Sequence, residues 1–319
     1  MKKYWILAAV VVIIIIAAAV SKTGETTKTE FVLDTVGTIT VKGDYTEEVD
    51  KAFARIKEIE GRMSSHISTS DVVTGTLNVD TSYVISKGLG YGKISDGMFD
   101  ITIKPICKLW DIGGENQRVP AQEEIDSVLP LVNYQKVGFL EGNAILDDGM
   151  ELELGAIAKG YAADEACRIL KEAGVKDGII DLGGNVVAIG TKTVGIRNPL
   201  SENNGDYFGV LKITDCAVAT SGGYERYFEQ DGIRYHHIFD PTTGYPVETD
   251  ILSATVVAPK AIDADCWSTI LFSAGMEKAT EYISKYNLNA VLVDVNNNVY
   301  TFGNVSFTIE ENSGMNLVK

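Results

Sequence analysis

Two adjacent histidines are the most chemically suggestive residues in this 319-residue chain, which contains three histidines in all. His236 and His237 open the run His-His-Ile-Phe-Asp-Pro-Thr-Thr-Gly, in which Asp240 begins a turn-forming segment. In a strand, neighbouring side chains point to opposite faces, so at most one of the two histidines can enter a given site. A histidine at a strand end can serve as a general base, because its pKa lies near neutral pH. The alternative is a structural histidine that caps the turn.

A possible metal site lies further along the chain, at Asp265 and Thr269. Apolar periodicity predicts a helix from about residue 262 to 273, followed by another that ends near Tyr286. A spacing of four residues places the two side-chain oxygens on one helix face. Hard oxygen ligands of this kind suit Mg²⁺, which usually keeps waters and binds substrate phosphates. The alternative is an acidic residue favoured near a helix N-terminus by the helix dipole.

A third candidate is the run Gly-Ala-Ile-Ala-Lys-Gly at residues 155–160, at the start of a helix predicted over residues 156–173 and closed by Gly174. Small residues let a ligand approach the backbone, and free N–H groups at a helix start suit a phosphate. Lys159 adds a positive charge. The spacing is not that of a P-loop, and an ordinary helix start with an exposed lysine is the alternative.

Two glycine-containing runs have weaker signals. The run Asp-Leu-Gly-Gly-Asn at residues 181–185 is typical of a tight turn, and close approach of the backbone to a ring is the alternative. The run Thr-Ser-Gly-Gly-Tyr at residues 220–224 lacks the spacing of a nucleophile elbow, which disfavours a serine hydrolase.

The elements that must position these residues do not alternate regularly between helix and strand, which predicts an α+β fold rather than a doubly wound sheet. Strands are predicted at 31–41, 178–182, 185–189, 207–213, 251–258, 289–294 and 298–302. A helix is predicted up to Met63, opened by a capping box of Asp44 and Glu47, and a second helix is predicted near 81–92. Residues 64–78 are predicted as a loop, and residues 99–105 and 110–114 as irregular.

Composition narrows the function classes. The formal net charge is -16, from 28 basic and 44 acidic residues. Basic clusters with interleaved aromatics are absent from the sequence, which disfavours nucleic-acid binding. An anionic ligand therefore needs a local positive group, such as a metal, a helix N-terminus or one placed lysine. Four separated cysteines without a Cys-x-x-Cys pair disfavour a zinc or iron–sulfur site, and their spacing does not settle whether any two form a disulfide.

The first 20 residues have the pattern expected of a membrane-targeting segment. Lys2 and Lys3 precede an unbroken apolar run over residues 4–20, followed by polar residues. We expect a membrane anchor or signal segment at residues 1–20, a tether at 21–30 and one catalytic domain at 31–319. An uncleaved anchor is favoured over a cleaved signal peptide. The lysines predict that the domain lies on the extracytoplasmic side of the cell membrane.

Taken together and in order, these motifs resemble the ApbE family of flavin transferases. The resemblance covers roughly residues 31–303 and rests on the runs at 37–38, 63–65, 70–72, 77–78, 96–100, 105, 109–110, 155–164, 181–185, 196–199, 220–222, 237–241, 243–244, 264–265 and 269. The sequence departs from the family pattern at Val36, Asp71 and Thr242, where Met, Glu and Arg are usual. None of these departures removes a proposed metal ligand or the proposed base.

The resemblance implies a single catalytic α+β domain of the T-fold type, which binds FAD and Mg²⁺. Such enzymes attach FMN to a Thr or Ser hydroxyl of a target flavoprotein and release AMP. By position, the metal ligands are the Ala156 carbonyl, Asp265 and Thr269, and His237 is the base. The implied FAD-binding residues are Ser70, Asp71, Val72, Phe99, Asp100, Lys159 and Ile238.

Two other functions remain open from the sequence. Water in place of the acceptor hydroxyl would make the enzyme an FAD pyrophosphatase, which yields FMN and AMP. A non-catalytic membrane flavin-binding protein is the second alternative, although such a protein needs no base. The chain carries no convincing acceptor segment of its own, so we expect the acceptor to be another chain. A flavoprotein subunit of a membrane redox system is the expected class of partner.

Overall fold

The computed structural model describes residues 24–140, 143–203 and 205–318. The helices are α1 Thr46–Met63, α2 Asp71–Thr74, α3 Val79–Ile94, α4 Lys104–Trp110, α5 Gln122–Val128, α6 Ala158–Glu172 and α7 Ala261–Tyr286. The strands are β1 Glu25–Val32, β2 Thr35–Lys42, β3 Gly138–Leu140, β4 Asn143–Ile145, β5 Gly178–Leu182, β6 Asn185–Ile189, β7 Thr191–Arg197, β8 Tyr207–Thr214, β9 Ala217–Gly222, β10 Tyr227–Gln230, β11 Ile233–His236, β12 Ile251–Ala258, β13 Asn289–Asp294, β14 Asn298–Phe302, β15 Ser306–Ile309 and β16 Asn316–Leu317.

A nine-stranded sheet forms the centre of the described structure, in the order β1-β2-β5-β6-β9-β12-β13-β14-β16. Neighbouring strands pair antiparallel, except for the parallel pair β14 and β16. Helices α1, α6 and α7 contact this sheet or one another, and a separate three-stranded sheet has the order β15-β8-β7. This mixed arrangement within one domain confirms the predicted α+β class.

Alternating side chains divide the core between the two faces of the large sheet. On β13, Ala290 and Leu292 pack into the cluster that contains helices α1, α6 and α7. Val291 and Val293 pack into a second cluster, with Phe208 and other residues of the three-stranded sheet. Because successive strand residues face opposite sides, one apolar run supplies both cores.

The N-terminal region of the fold differs from the prediction in two ways. The strand predicted over residues 31–41 is a hairpin, because Leu33 and Asp34 turn the chain with φ of 53° and 56°. The predicted tether is wrong from Glu25 onward, since β1 begins there and pairs with β2. Strand β1 is the outermost strand of the large sheet, so its side chains are largely exposed and its polar sequence looks like a linker. The predicted membrane segment at 1–20 lies outside the described residues.

Several helix boundaries also differ from the prediction. The capping box is wrong: α1 has Tyr45 at its N-cap, without a side-chain hydrogen bond. The predicted loop over 64–78 contains the short helix α2, and the irregular segment after Phe99 gives way to α4. Pro105 lies in the first turn of α4, where a missing N–H costs nothing. The predicted break in the last long helix is confirmed by Gly275, with φ of 71° and ψ of 165° inside α7. No helix among the described residues is long and apolar enough to cross a membrane.

Candidate active site

One cavity of about 1350 Å³ gathers most of the residues singled out from the sequence. This volume exceeds the usual range of roughly 300–1,000 Å³ for small-molecule sites, so it has room for a dinucleotide. The predicted site residues that line it are His237, Ile238, Phe99, Asp100, Ala156, Lys159, Asp265 and Thr269. Four separate regions of the chain thus meet around one space.

Helices α6 and α7 meet at their N-termini and thereby position Asp265. Gly160 allows this approach, since a Cβ there would lie 2.5 Å from the Ala261 carbonyl oxygen. The Asp164 carboxylate on α6 accepts hydrogen bonds from the N–H groups of Ala261 and Ile262, at 2.9 and 3.2 Å. Asp164 therefore caps α7, whose own N-cap residue makes no side-chain hydrogen bond. The small residues of the 155–160 run serve helix packing here, and not only the approach of a ligand.

The Asp265 carboxylate is 5% exposed and faces the cavity. Its Oδ2 accepts from the Gly160 N–H at 3.0 Å, and its Oδ1 accepts from Asn185 Nδ2 at 3.2 Å. The nearest positive charge, Lys159 Nζ, lies 4.0 Å from Oδ1 and donates to the Gly155 carbonyl at 2.7 Å. The Asp265 carboxylate is thus held mainly by neutral hydrogen-bond donors in the wall of the cavity.

Thr269 lies one turn after Asp265, as the spacing predicts. Its Oγ1 is 3.3 Å from the Asp265 carbonyl oxygen and 3.3 Å from Ser221 Oγ on strand β9. Ser221 also lies 2.9 Å from Ser268 Oγ. Ser221 therefore ties β9 to α7.

The structure distinguishes the two adjacent histidines by their partners. His236 Nε2 bonds the Val247 carbonyl at 3.1 Å, and its Nδ1 accepts from the Ile238 N–H at 3.3 Å, so both ring nitrogens are engaged. His237 lines the cavity, and its Nδ1 bonds the Arg226 carbonyl at 3.2 Å. A carbonyl oxygen only accepts, so Nδ1 carries the proton and Nε2 is left with a free lone pair.

Burial lowers the pKa of His237 to about 4, and the positive charges of Arg226 and Lys159 act in the same direction. The imidazole is therefore neutral at pH 7 and able to accept a proton at Nε2.

The turn after His237 is held against an aromatic cluster. Trp110 Nε1 donates to the Gly244 carbonyl at 2.9 Å, and Phe239 packs against the Trp110 ring. Gly244 has φ of 73° and accommodates Ile106 and Ile125 where a side chain would clash. The cluster thus fixes the segment that carries His237 and Ile238.

Three predicted flavin-binding residues do not line this cavity. Ser70 is fully buried and its Oγ accepts from the Val73 N–H as the N-cap of α2, while Val72 is packed in the main core. Asp71 accepts from the Asn78 N–H and from Thr81 Oγ1, at 3.0 and 2.6 Å. Asp100 does line the cavity, but its carboxylate is bonded to Thr102 and to the Tyr134 N–H. Local hydrogen bonds therefore account for the polar side chains of Ser70, Asp71 and Asp100.

Sequence reasoning missed a charged pair in the cavity wall. Lys104 is 3% exposed, and its Nζ lies 3.0 Å from Glu153 Oε2 and 3.3 Å from His66 Nε2. Ser65 Oγ also donates to Glu153 Oε2, at 2.7 Å. Burial opposes ionisation of Glu153, but the Lys104 charge and these hydrogen bonds hold its pKa below the ordinary value. The only sequence signal was an acidic residue placed two positions before Gly155.

The donor set around Asp265 fits a hard divalent cation. No group of three or more His, Cys, Asp or Glu able to hold a metal occurs within the described ranges, so neutral oxygens must complete such a site. In a regular helix the Gly160 N–H would donate to the Ala156 carbonyl, but here it donates to the Asp265 carboxylate. The Asn185 Oδ1, beside Asp265, is buried without a hydrogen-bond partner. Oxygen atoms of this kind are the ligands that Mg²⁺ prefers.

All four cysteines are unpaired thiols.

Two proteins similar to this chain in sequence are both named FAD:protein FMN transferase. The chain is 40% identical over 210 residues to the FAD:protein FMN transferase of Klebsiella pneumoniae (strain 342), covering 65% of this chain and 66% of that protein. It is 28% identical over 281 residues to the FAD:protein FMN transferase of Haemophilus influenzae, covering 81% and 80%. The match to the Klebsiella protein thus spans about two thirds of that relative's length.

Among solved structures, the crystal structure of the ApbE protein from Thermotoga maritima superposes with a TM-score of 0.79 at 29% identity, over 90% of this chain and 97% of that one. The model of the ApbE family matches residues 33–292, which include every residue of the site described above. By this match the chain belongs to the ApbE family.

Proposed function

We propose that this protein transfers FMN from FAD to a Thr or Ser hydroxyl of a target flavoprotein and releases AMP. One observation carries the proposal: a single cavity holds a histidine with a free Nε2 and a buried oxygen cluster around Asp265. The histidine can accept a proton from the acceptor hydroxyl. The oxygen cluster can hold a cation, which in turn binds the phosphates of FAD. The names of the relatives are consistent with this reaction.

In the proposed reaction, His237 Nε2 takes the proton of the acceptor hydroxyl. The hydroxyl oxygen then bonds to the phosphorus on the FMN side of the pyrophosphate. The bond from that phosphorus to the bridging oxygen breaks, and AMP leaves with the bonding electrons. The Arg226 carbonyl holds the imidazole in the tautomer that this proton transfer needs.

We propose that Asp265, Thr269 and the Ala156 carbonyl hold a Mg²⁺ ion in this cavity. When bound, such an ion neutralises the charge that develops on the phosphates. The Gly160 N–H and Asn185 Nδ2 keep the Asp265 carboxylate aimed into the site. Lys159 supplies a second positive charge at the same wall.

The flavin nucleotide is proposed to lie along Phe99, Asp100, Lys159 and Ile238, all of which line the cavity. Phe99 is apolar and nearly buried, which suits contact with a ring system. The proposed contribution of Ser70, Asp71 and Val72 is indirect, because their side chains shape the neighbouring α2 and α3.

We further propose that residues 1–20 anchor the protein in the cell membrane, with the domain on the extracytoplasmic side. Lys2, Lys3 and the apolar run over 4–20 support this orientation. The proposed acceptor is a flavoprotein subunit of a membrane redox system that faces the same side. Membrane fractionation and intact mass of the purified protein test the anchor, and a mass that lacks the first 20 residues contradicts it.

The reaction is tested by intact mass of a candidate acceptor domain after incubation with the full-length protein, FAD and Mg²⁺. A gain of one FMN that requires Mg²⁺ supports the transfer. Free FMN and AMP without a gain would instead assign the site to an FAD pyrophosphatase. Unchanged FAD with every acceptor tried would leave a flavin-binding protein and overturn the transferase proposal.

A further inference from the structure

Asn185 occupies an unusual position in the wall of the cavity. It follows the turn at Gly183 and Gly184, whose φ values of 62° and 90° suit glycine, and it opens strand β6. Its side chain is 4% exposed, and the residue lines the same cavity as Asp265. Leu182 and Asn185 pair directly across the turn, which fixes where the amide lies.

The orientation of the Asn185 amide is determined by its neighbour. Nδ2 donates to Asp265 Oδ1 at 3.2 Å. The opposite orientation would place two acceptors, the amide oxygen and the carboxylate, against each other. It is therefore Nδ2 and not Oδ1 that faces Asp265 Oδ1, and Oδ1 is buried without a hydrogen-bond partner among the described residues.

A buried amide oxygen without a donor is costly, so its retention in the wall of a cavity points to a ligand. A cation or a hydrogen-bond donor would satisfy this oxygen. The charged group bonded to the same amide is the Asp265 carboxylate, which favours a cation. An amide oxygen beside a carboxylate is a typical environment for a hard divalent cation. Ser221 and Thr269 add hydroxyl oxygens to the same wall.

We propose that Asn185 Oδ1 is a further oxygen ligand of the divalent cation held by Asp265, and that Asn185 Nδ2 orients the Asp265 carboxylate toward it. This inference rests on the proposed metal site. It extends that site from helices α6 and α7 to the hairpin of β5 and β6. The turn at residues 183–184 thereby becomes part of the metal site.

The test is Mn²⁺ binding to the full-length protein without FAD, measured from the free-ion signal in electron paramagnetic resonance. Asn185→Ala is expected to weaken Mn²⁺ binding at least tenfold. Asn185→Asp, which keeps an oxygen but loses the donor, is expected to bind Mn²⁺ at least as tightly as the wild type. The control is Asn298→Ala, since Asn298 Nδ2 also bonds a carboxylate, that of Asp294 at 3.0 Å, but lies away from the cavity.

The outcomes separate the two proposals. Loss of Mn²⁺ binding in Asp265→Ala but wild-type binding in Asn185→Ala would overturn the role of Asn185 alone. Weak binding in Asn185→Asp would show that the donor and not the oxygen matters, which also overturns the ligand assignment. Absence of Mn²⁺ binding in the wild type would overturn the metal site itself and this inference with it. If Asn185→Ala does not fold, the isosteric Asn185→Asp decides the matter alone.

Discussion

At the scale of single residues, the two adjacent histidines show how a backbone carbonyl assigns a chemical role. Both rings bond a carbonyl oxygen, but only His236 also accepts an N–H, from Ile238. His237 therefore keeps one unprotonated nitrogen free beside the cavity. The sequence predicted that one histidine at most could enter the site, and neighbouring hydrogen bonds decide which.

The titration of His237 is the first prediction. Since burial lowers its pKa to about 4, the imidazole should stay neutral down to about pH 5 in the protein without ligands. In the unfolded chain this histidine has the ordinary pKa of about 6.5. Between about pH 6.5 and pH 4 only the unfolded state therefore binds a proton at His237, so the free energy of unfolding falls as the pH is lowered through this range. Nitrogen-detected NMR of the three histidines, assigned with His237→Asn, measures the midpoint. A midpoint near 6.5 for His237 would contradict the burial argument.

The second prediction separates binding of the cation from proton transfer. Asp265→Ala should lose Mg²⁺ binding and FMN transfer together, because the carboxylate is the charged ligand of the proposed site. His237→Ala should still bind FAD and Mg²⁺, but transfer should fall by roughly 10²–10⁴-fold, the usual contribution of a general base. Calorimetric Mg²⁺ titration and the rate of acceptor mass gain measure the two effects.

The control for this pair is Asp263→Ala. Asp263 lies on the same helix turn, but its carboxylate bonds Lys87 and Tyr91 and does not line the cavity. Its removal should leave both Mg²⁺ affinity and transfer rate close to wild type. Full activity in Asp265→Ala would refute the metal assignment, and an unchanged rate in His237→Ala would remove it as the base.

At the scale of elements, the contact between α6 and α7 positions the site, and Gly160 makes it possible. Gly160→Ala places a Cβ 2.5 Å from the Ala261 carbonyl oxygen, so the two helix starts must separate. We expect a loss of about 1–3 kcal/mol in the free energy of unfolding, the usual cost of overpacking. Gly90→Ala in helix α3 is the control, because nothing lies within 4 Å of its Cβ position. Urea denaturation of both variants compares them, and equal stability would refute the steric role.

The cap that Asp164 provides to α7 is the fourth prediction. Asp164→Ala removes the acceptor of two N–H groups at the start of the helix that carries Asp265. We expect a loss of about 1–2 kcal/mol in the free energy of unfolding, in the range found for helix caps. Glu172→Ala, in an exposed ion pair at the other end of α6, should change stability by less than about 1 kcal/mol. Chemical denaturation measures the free energy of unfolding of both variants, provided that its dependence on denaturant concentration is the same in each. Similar losses in the two variants would contradict the capping role.

Elements with regular patterning were predictable, whereas those made by single residues or by distant partners were not. Strands β5, β6, β12, β13 and β14 have the predicted bounds. In β6 and β13 burial on both faces gives a nearly continuous apolar run, and in the other three apolar residues and turn residues at the ends mark the strand. The turn at Leu33 and Asp34 has no glycine to mark it, so the sequence pattern predicts one strand where the chain forms a hairpin. In the site, the spacing of Asp265 and Thr269 was visible in the sequence. The ion pair of Lys104 and Glu153 spans 49 residues and was not.

At the scale of the whole molecule, the net charge of -16 opposes the binding of an anionic dinucleotide. Exposed charges beyond about 8–10 Å are screened at physiological salt, so the local charges of the cavity dominate. Lys159 is the lysine nearest Asp265, and Lys104 is already paired with Glu153. The other basic side chains of the cavity wall, Lys108, Arg118 and Arg197, are also paired with carboxylates, whereas Arg226 donates to the Asp34 carbonyl. Lys159 and Arg226 are therefore the main positive charges offered to the FAD phosphates until a cation binds at Asp265.

This balance makes FAD affinity dependent on divalent cations and gives the fifth prediction. At constant ionic strength, replacing KCl with Mg²⁺ should tighten FAD binding by at least tenfold, measured by quenching of flavin fluorescence. Asp265→Ala should bind FAD with an affinity that Mg²⁺ does not change. Lys159→Met should weaken FAD binding under both conditions, because the Lys159 charge is present with and without the cation. Equal FAD affinity of the wild type in EDTA and in Mg²⁺ would show that the protein holds the phosphates without a metal, despite its net charge.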